Sequence, residues 1–316
     1  MPESAGSRGG GSAGGLPKAP APAGCHAPAR TPQASCCGPC RRGGRRDIVG
    51  PREATGEILV HPATVLAEID QQFPESLDRL FELLRFPSVG TDPAHHKDCL
   101  ATANWLVGQL KELGFKAGLR KTTGQPLVLG QYVPPGGEKL PHILFYGHYD
   151  VQPADPLELW TSPPFEPEIR KGDRGQDAIF ARGAADDKGQ LMTFLEASRS
   201  WLKVHGSLPF RLTVMIEGDE EGDASHIDTF LKIHAREFPV DAVFICDTGM
   251  WDAKTPGIDT RLRGCSGIEF TVIGPKIDLH SGLYGGPVQN PIKVVSRIVA
   301  AIHDKRGRIT IPGFYD

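Results

Sequence analysis

The chain has 316 residues, a formal net charge of −3 and 39% hydrophobic residues. That length suits two domains of ordinary size, and the composition sustains a buried core. The small net charge gives no general drive toward nucleic acid or an anionic membrane. No apolar run approaches the roughly 20 residues of a transmembrane helix.

Residues 1–56 are Gly, Ala, Pro, Ser and Arg with almost no aliphatic periodicity. Such a segment buries too little apolar surface to offset its ordering entropy, so a disordered tail is expected there. Cys36, Cys37 and Cys40 with His26 offer soft donors, but a second CxxC or HxxxH pair is missing. A transit peptide would suit the arginines and the scarcity of acids, but the amphipathic pattern is missing, as is a charged-then-apolar secretory signal. Cys99, Cys246 and Cys265 are scattered singly through the rest. Scattered odd cysteines fit a reducing compartment, and a cytoplasmic location is expected.

Order is expected from about Pro62. Val65, Leu66, Ile69 and Phe73, then Leu77, Leu80, Phe81 and Leu84, recur at helical spacing up to Pro87. A helix follows over about Cys99 to Leu113, with Gly114 as its stop. The apolar runs His142 to Tyr146, Phe210 to Ile216 and Val240 to Ile245 read as buried strands, with helical periodicity between the first two at Leu191, Phe194, Leu195, Ser198 and Leu202. This alternation predicts an α/β fold: a mostly parallel twisted sheet flanked by helices, over residues 57–262. The character changes near Arg263. Ile268, Phe270 and Val272 alternate with Glu269, Thr271 and Ile273, which predicts a half-exposed strand. Asn290-Pro291 then opens a helix with Ile292, Val295, Ile298, Val299 and Ile302 on one face. Residues 263–316 are read as the start of a second, α+β domain.

The chemistry gathers at the ends of these elements. His148 closes the first strand, and Asp150, two residues on, shares its side in an extended segment and can orient the ring. Asp186-Asp187 opens a helix; one Asp would serve as a cap, and two leave a carboxylate able to bridge cations. Glu217, Asp219, Glu220 and Glu221 crowd one turn after the second strand, a costly concentration of like charge unless a cation neutralises it. One of the two adjacent glutamates can bind metal while the other acts as a general base. Asp247 follows the third strand, as a cap or as a ligand. Open sheets of this kind place ligands beyond the carboxyl ends of their strands, where His148, Glu220, Glu221 and Asp247 all fall.

Taken together, Phe145-Tyr146-Gly147-His148-Tyr149-Asp150-Val151-Gln152-Pro153, Arg182-Gly183-Ala184-Ala185-Asp186-Asp187-Lys188-Gly189, Ile216-Glu217-Gly218-Asp219-Glu220-Glu221 and Asp278-Leu279-His280-Ser281-Gly282 carry a resemblance. From about Pro62 onward the chain resembles the dinuclear zinc peptidases and deacylases that include carnosine dipeptidases, glutamate carboxypeptidase and acetylornithine deacetylase. It looks closest to the dipeptidase branch. The resemblance implies two Zn2+, with manganese or cobalt suiting the same mixed His and carboxylate donors. It implies His148 and Asp247 on one metal, Glu221 on the other, and Asp186 bridging both, with a cis peptide to Asp187. Asp150 would orient His148, and Glu220 would be the general base acting on a hydroxide held between the metals. His280, on an inserted lid, would reach across a homodimer to the scissile carbonyl of the partner's substrate.

One departure stands out. The family's last histidine ligand comes from the catalytic domain after the chain has left the lid, whereas here the only histidine after His280 is His303, on a predicted helix. The chain is therefore expected to be an incomplete product. The expected activity of the complete protein is hydrolysis of the amide bond of a dipeptide or similar small peptide. The alternatives are an N-acyl amino acid deacylase, an inert truncated subunit, and a module binding one zinc or magnesium.

Overall fold

The computed structural model describes residues 62–315 apart from 223, 224, 253, 263, 265 and 266. The expected tail, its Cys-His cluster and Cys265 lie outside the described residues.

The helical spacing near the start resolves into two helices, α1 (Pro62–Gln71) and α2 (Phe73–Leu84). Pro74 sits in the first turn of α2, where its missing N–H costs nothing, and Glu75 beside it favours the positive end of the helix. Helix α3 (His96–Glu112) ends as expected at Gly114, whose φ of 84° lets the chain turn back at once. It feeds a hairpin of β1 (Lys116–Arg120) and β2 (Leu127–Tyr132). Then come β3 (His142–His148), a small separate hairpin of β4 (Glu168–Lys171) and β5 (Asp177–Phe180), α4 (Lys188–His205), β6 (Arg211–Glu217), α5 (Ser225–His234) and β7 (Ala242–Ile245). A single turn, α6 (Ser281–Tyr284), and α7 (Pro291–Ile302) follow. The Asn290 side chain accepts from Ile292 N–H at 2.9 Å and caps α7.

The main sheet runs β1-β2-β6-β3-β7. It is mixed: β6-β3-β7 is parallel, and the β1-β2 hairpin joins β6 antiparallel. The parallel half is the part that the strand–helix alternation predicts, because each crossover there carries a helix. Helices cover both faces. Leu83 of α2, Leu106 and Leu110 of α3 and Leu191 and Leu195 of α4 pack against Phe145, Val214 and Ile216. Leu144 and Met215, pointing the other way, meet Phe230 and Phe238. Strand β6, between two neighbours and two helical layers, is buried along nearly its whole length.

Two strand expectations are corrected. Strand β7 is not buried: Val243, Phe244 and Ile245 are each more than half exposed, at 54%, 53% and 55%. It is the outermost strand of the sheet among the described residues, so one edge has no neighbour. Ile268 to Val272 form no strand, although they alternate correctly. Alternation prepares a face, but a strand exists only where a neighbour supplies its ladder of hydrogen bonds, and none of the described residues does so here.

Helices α2 and α4 are clamped by an ion pair. Arg79 donates through Nε and Nη2 to the two carboxylate oxygens of Glu196, at 2.8 and 2.5 Å, and Ser76 Oγ adds a bond at 2.9 Å. Burial opposes the Glu196 charge, but the bonds from Arg79 and Ser76 and the charges of Arg199 and Arg79 outweigh it and hold the carboxyl below its usual range. A depressed pKa stabilises the fold above the unfolded pKa, near 4.3, and that stability is lost as pH falls through the folded value. Glu196→Gln is expected to cost about 2 kcal/mol at pH 7, measured by urea unfolding. The gap from the unmodified chain should shrink as pH drops below about 4. A gap independent of pH would contradict the assignment.

Candidate metal centre

Three parallel strands end side by side, and each delivers an acid or an imidazole at its last residue or shortly beyond it. His148 is the last residue of β3 and lies opposite Glu217, the last of β6. The ladder continues one step, with Tyr149 N–H donating to Glu217 O at 2.8 Å, and β6 then turns through Gly218 into Glu220 and Glu221. A Cβ on Gly218 would stand 2.3 Å from the Tyr149 ring, so the turn closes over the ring only because position 218 is glycine. Asp247 follows β7 by two residues, and Asp186 comes in from the loop before α4.

The imidazole is fully buried. Its Nδ1 lies 3.0 Å from the carbonyl oxygen of Asp150 and 3.4 Å from that residue's carboxylate. A carbonyl only accepts, so Nδ1 carries a proton and Nε2 is the ring nitrogen turned toward the other candidates. Nε2 faces acids: Asp186 at 3.2 Å, Asp247 at 3.6 Å and Glu220 at 4.0 Å. Donor atoms of His148, Glu220 and Asp247 all lie within 4.8 Å of one another, a spacing that one cation can span.

The Asp150 carboxylate, fully buried beneath the ring, accepts from the N–H groups of Glu220 at 3.2 Å and Glu221 at 3.0 Å. It thereby holds the acidic turn against the end of β3. Asp187 occupies the N-cap position of α4 but does not cap it with its side chain. Its buried carboxylate instead accepts from His148 N–H at 3.1 Å, and its other oxygen has no hydrogen-bond partner among the described residues. The Asp186–Asp187 peptide is cis. The Glu221 carboxylate turns outward to Gln152 Nε2 at 2.7 Å. His280 stands apart from the cluster; its ring accepts from Gly282 N–H at 3.1 Å, and no hydrogen bond or ion pair joins it to the other candidates among the described residues.

The charge balance shows what the centre favours. Burial and neighbouring acids push Asp187 and Glu217 up to about 7, and Glu220, Glu221 and Asp247 also rise, burial leading in every case. Burial alone would lower the His148 pKa. The hydrogen bond and charge of Asp150, with the charges of Asp187 and Glu220, overcome it and push the ring up to about 10. The pocket thus draws positive charge toward Nε2. One borderline nitrogen and several carboxylate oxygens form a donor set that fits a divalent transition cation.

Several supporting contacts could not be read from the sequence. Lys188 is fully buried, its ammonium donating to Phe86 O at 2.8 Å and Leu83 O at 3.2 Å, and burial lowers it to about 7. Tyr146 donates its hydroxyl to Glu217, and Tyr149 donates to Pro126 O at 2.8 Å. Ser88 Oγ donates to Tyr149 O at 2.7 Å. These contacts join positions from 23 to 105 residues apart, which no local pattern reveals.

Comparison with known proteins identifies the family. The model of Peptidase family M20/M25/M40 matches residues 144–313. The Cys-Gly metallodipeptidase DUG1 of Candida albicans is 32% identical over 263 residues, 78% of this chain and 53% of that protein. The cysteinylglycine-S-conjugate dipeptidase of Corynebacterium striatum is 33% identical over 236 residues, 74% of this chain and 50% of that protein. The M20 family metallo-carboxypeptidase Sso-CP2 from Sulfolobus solfataricus superposes with a TM-score of 0.59 at 31% identity, covering 77% of this chain and 53% of that structure. The chain spans about half the length of the curated relatives it matches. A family match over more than half of the sequence, with sequence and structural relatives above 30% identity, shows that the chain belongs to Peptidase family M20/M25/M40.

Proposed function

We propose that this chain carries metal-binding residues of a dipeptidase that hydrolyses the amide bond of a small dipeptide of the Cys-Gly type. The carrying observation is the convergence of His148 Nε2 with Asp186, Glu220 and Asp247 beyond the ends of β3, β6 and β7. The names of two relatives, a Cys-Gly metallodipeptidase and a cysteinylglycine-S-conjugate dipeptidase, support a dipeptide over an acyl amino acid.

The reading assigns two zinc ions, of which one would be held by His148 and Asp247 and the other by Glu221, with Asp186 able to serve both. Bound there, they would supply a Lewis acid for the substrate carbonyl and a water of lowered pKa. Glu220 takes a proton from the attacking water and delivers it to the leaving amine. Asp150 fixes the ring of His148 and the backbone of Glu220 and Glu221 together. Residues 263–316 begin a lid through which the protein forms a homodimer, and His280 of one copy steadies the oxyanion in the other. A cytosolic setting is supported by the free cysteines, Cys99 buried and Cys246 half-buried.

Zinc content is the first test. Metal analysis after dialysis should give a mole ratio of about two if the centre is assembled. A ratio near zero would favour an inert subunit. The two glutamates divide by variant: Glu220→Gln should keep its zinc and lose about 10²-fold or more in turnover of Cys-Gly, whereas Glu221→Gln should lose metal. Because Glu220 is the glutamate nearer to His148 Nε2, the reverse pattern would make it the ligand and Glu221 the base.

A further inference from the structure

Asp186 and Asp247 must come together although nothing in the chain's local order makes them do so. One lies in the loop before α4, the other beyond the exposed end of β7. The ladder to β3 fixes the Asp247 segment only from behind, its last bond running from Cys246 N–H to Tyr146 O at 3.5 Å. Ahead of it, one side chain reaches over. Gln190, in the first turn of α4, donates from Nε2 to Ala185 O at 2.7 Å and to Thr248 O at 3.3 Å. Ala185 immediately precedes Asp186, and Thr248 immediately follows Asp247.

A primary amide has two N–H donors on one nitrogen and so can serve two carbonyl oxygens at once. The opposite orientation of this amide would set its own oxygen against both carbonyls, so the two acceptors fix which end points at them. The Gln190 oxygen, by contrast, has no hydrogen-bond partner among the described residues.

We infer that Gln190 is a positioning residue that ties the Asp186 loop to the Asp247 loop and so sets the separation of two carboxylates around His148 Nε2. It acts through the backbone and touches neither the proposed metals nor substrate. The inference rests on the metal-centre reading above. Direct hydrogen-bond partners of ligands typically change metal affinity by 10- to 100-fold when lost, and Gln190, which holds the residues next to two ligands, is expected at the lower end of that range. Both bonds lie in exposed surroundings, so their removal leaves little unsatisfied and should barely alter the metal-free fold.

Gln190→Met keeps the length of the side chain and removes both donors. Zinc titration calorimetry on the chelator-treated chain should show binding weakened about tenfold or more. The visible spectrum of the cobalt-loaded variant should move toward that of Asp247→Ala, because the coordination around His148 has changed. The urea midpoint of the metal-free variant should stay close to that of the unmodified chain. Unaltered zinc affinity and cobalt spectrum would overturn the inference and leave the metal centre intact. Weakened zinc binding with an unaltered cobalt spectrum, or with a matching loss of metal-free stability, would also overturn it by showing a general structural effect. Failure of the unmodified chain to bind zinc would overturn both the metal centre and the role of Gln190.

Discussion

The carboxylate of Asp150 sits where two parallel strands end, buried from water, and both of its oxygens take backbone N–H groups from the turn after β6. The same residue's carbonyl receives Nδ1 of His148. One residue therefore sets the tautomer of the imidazole and the path of the chain that carries Glu220 and Glu221. An ionised carboxylate is costly to bury unless its lone pairs are occupied, and here the site's own backbone occupies them. Removing this group would free the acidic turn and the ring together.

Around that joint the protein tolerates a poor electrostatic arrangement. Asp187, Glu217, Glu220, Glu221 and Asp247 all have raised pKa values, with burial as the leading cause. The fold supports them from beneath, through the Tyr146 hydroxyl on Glu217, the His148 N–H on Asp187 and the Ser88 hydroxyl on the backbone of Tyr149. Groups perturbed in this way are characteristic of functional sites, and the packed layers of α2, α3 and α4 against β3 and β6 supply the compensating stability.

Much of this was legible in the residues. The long, strongly periodic helices and the apolar strands β3 and β6 came through because burial on both faces leaves a dense hydrophobic record. His148, Asp186, Glu220, Glu221 and Asp247 stood out because acids and imidazole at strand ends and helix starts are chemically unusual there. The β1-β2 hairpin did not come through. Lys116-Ala117-Gly118-Leu119-Arg120 has no β-branched residue and no clean alternation, and it is a strand because β2 pairs with it. The stretch Ile268 to Val272 is the converse, a strand pattern without a pairing partner among the described residues.

The sequence by itself determined the residue types of the centre and the elements that carry them, because periodicity and ligand chemistry are local properties of the chain. Tertiary structure alone decided how those groups face one another. It chose Nε2 of His148 over Nδ1, set the Asp187 carboxylate on the end of β3 instead of on its own helix, turned Glu221 toward Gln152, and placed the Gln190 amide between two loops. Each of these depends on atoms brought together from distant positions, and the direction of a hydrogen bond is fixed only when both of its partners are in place.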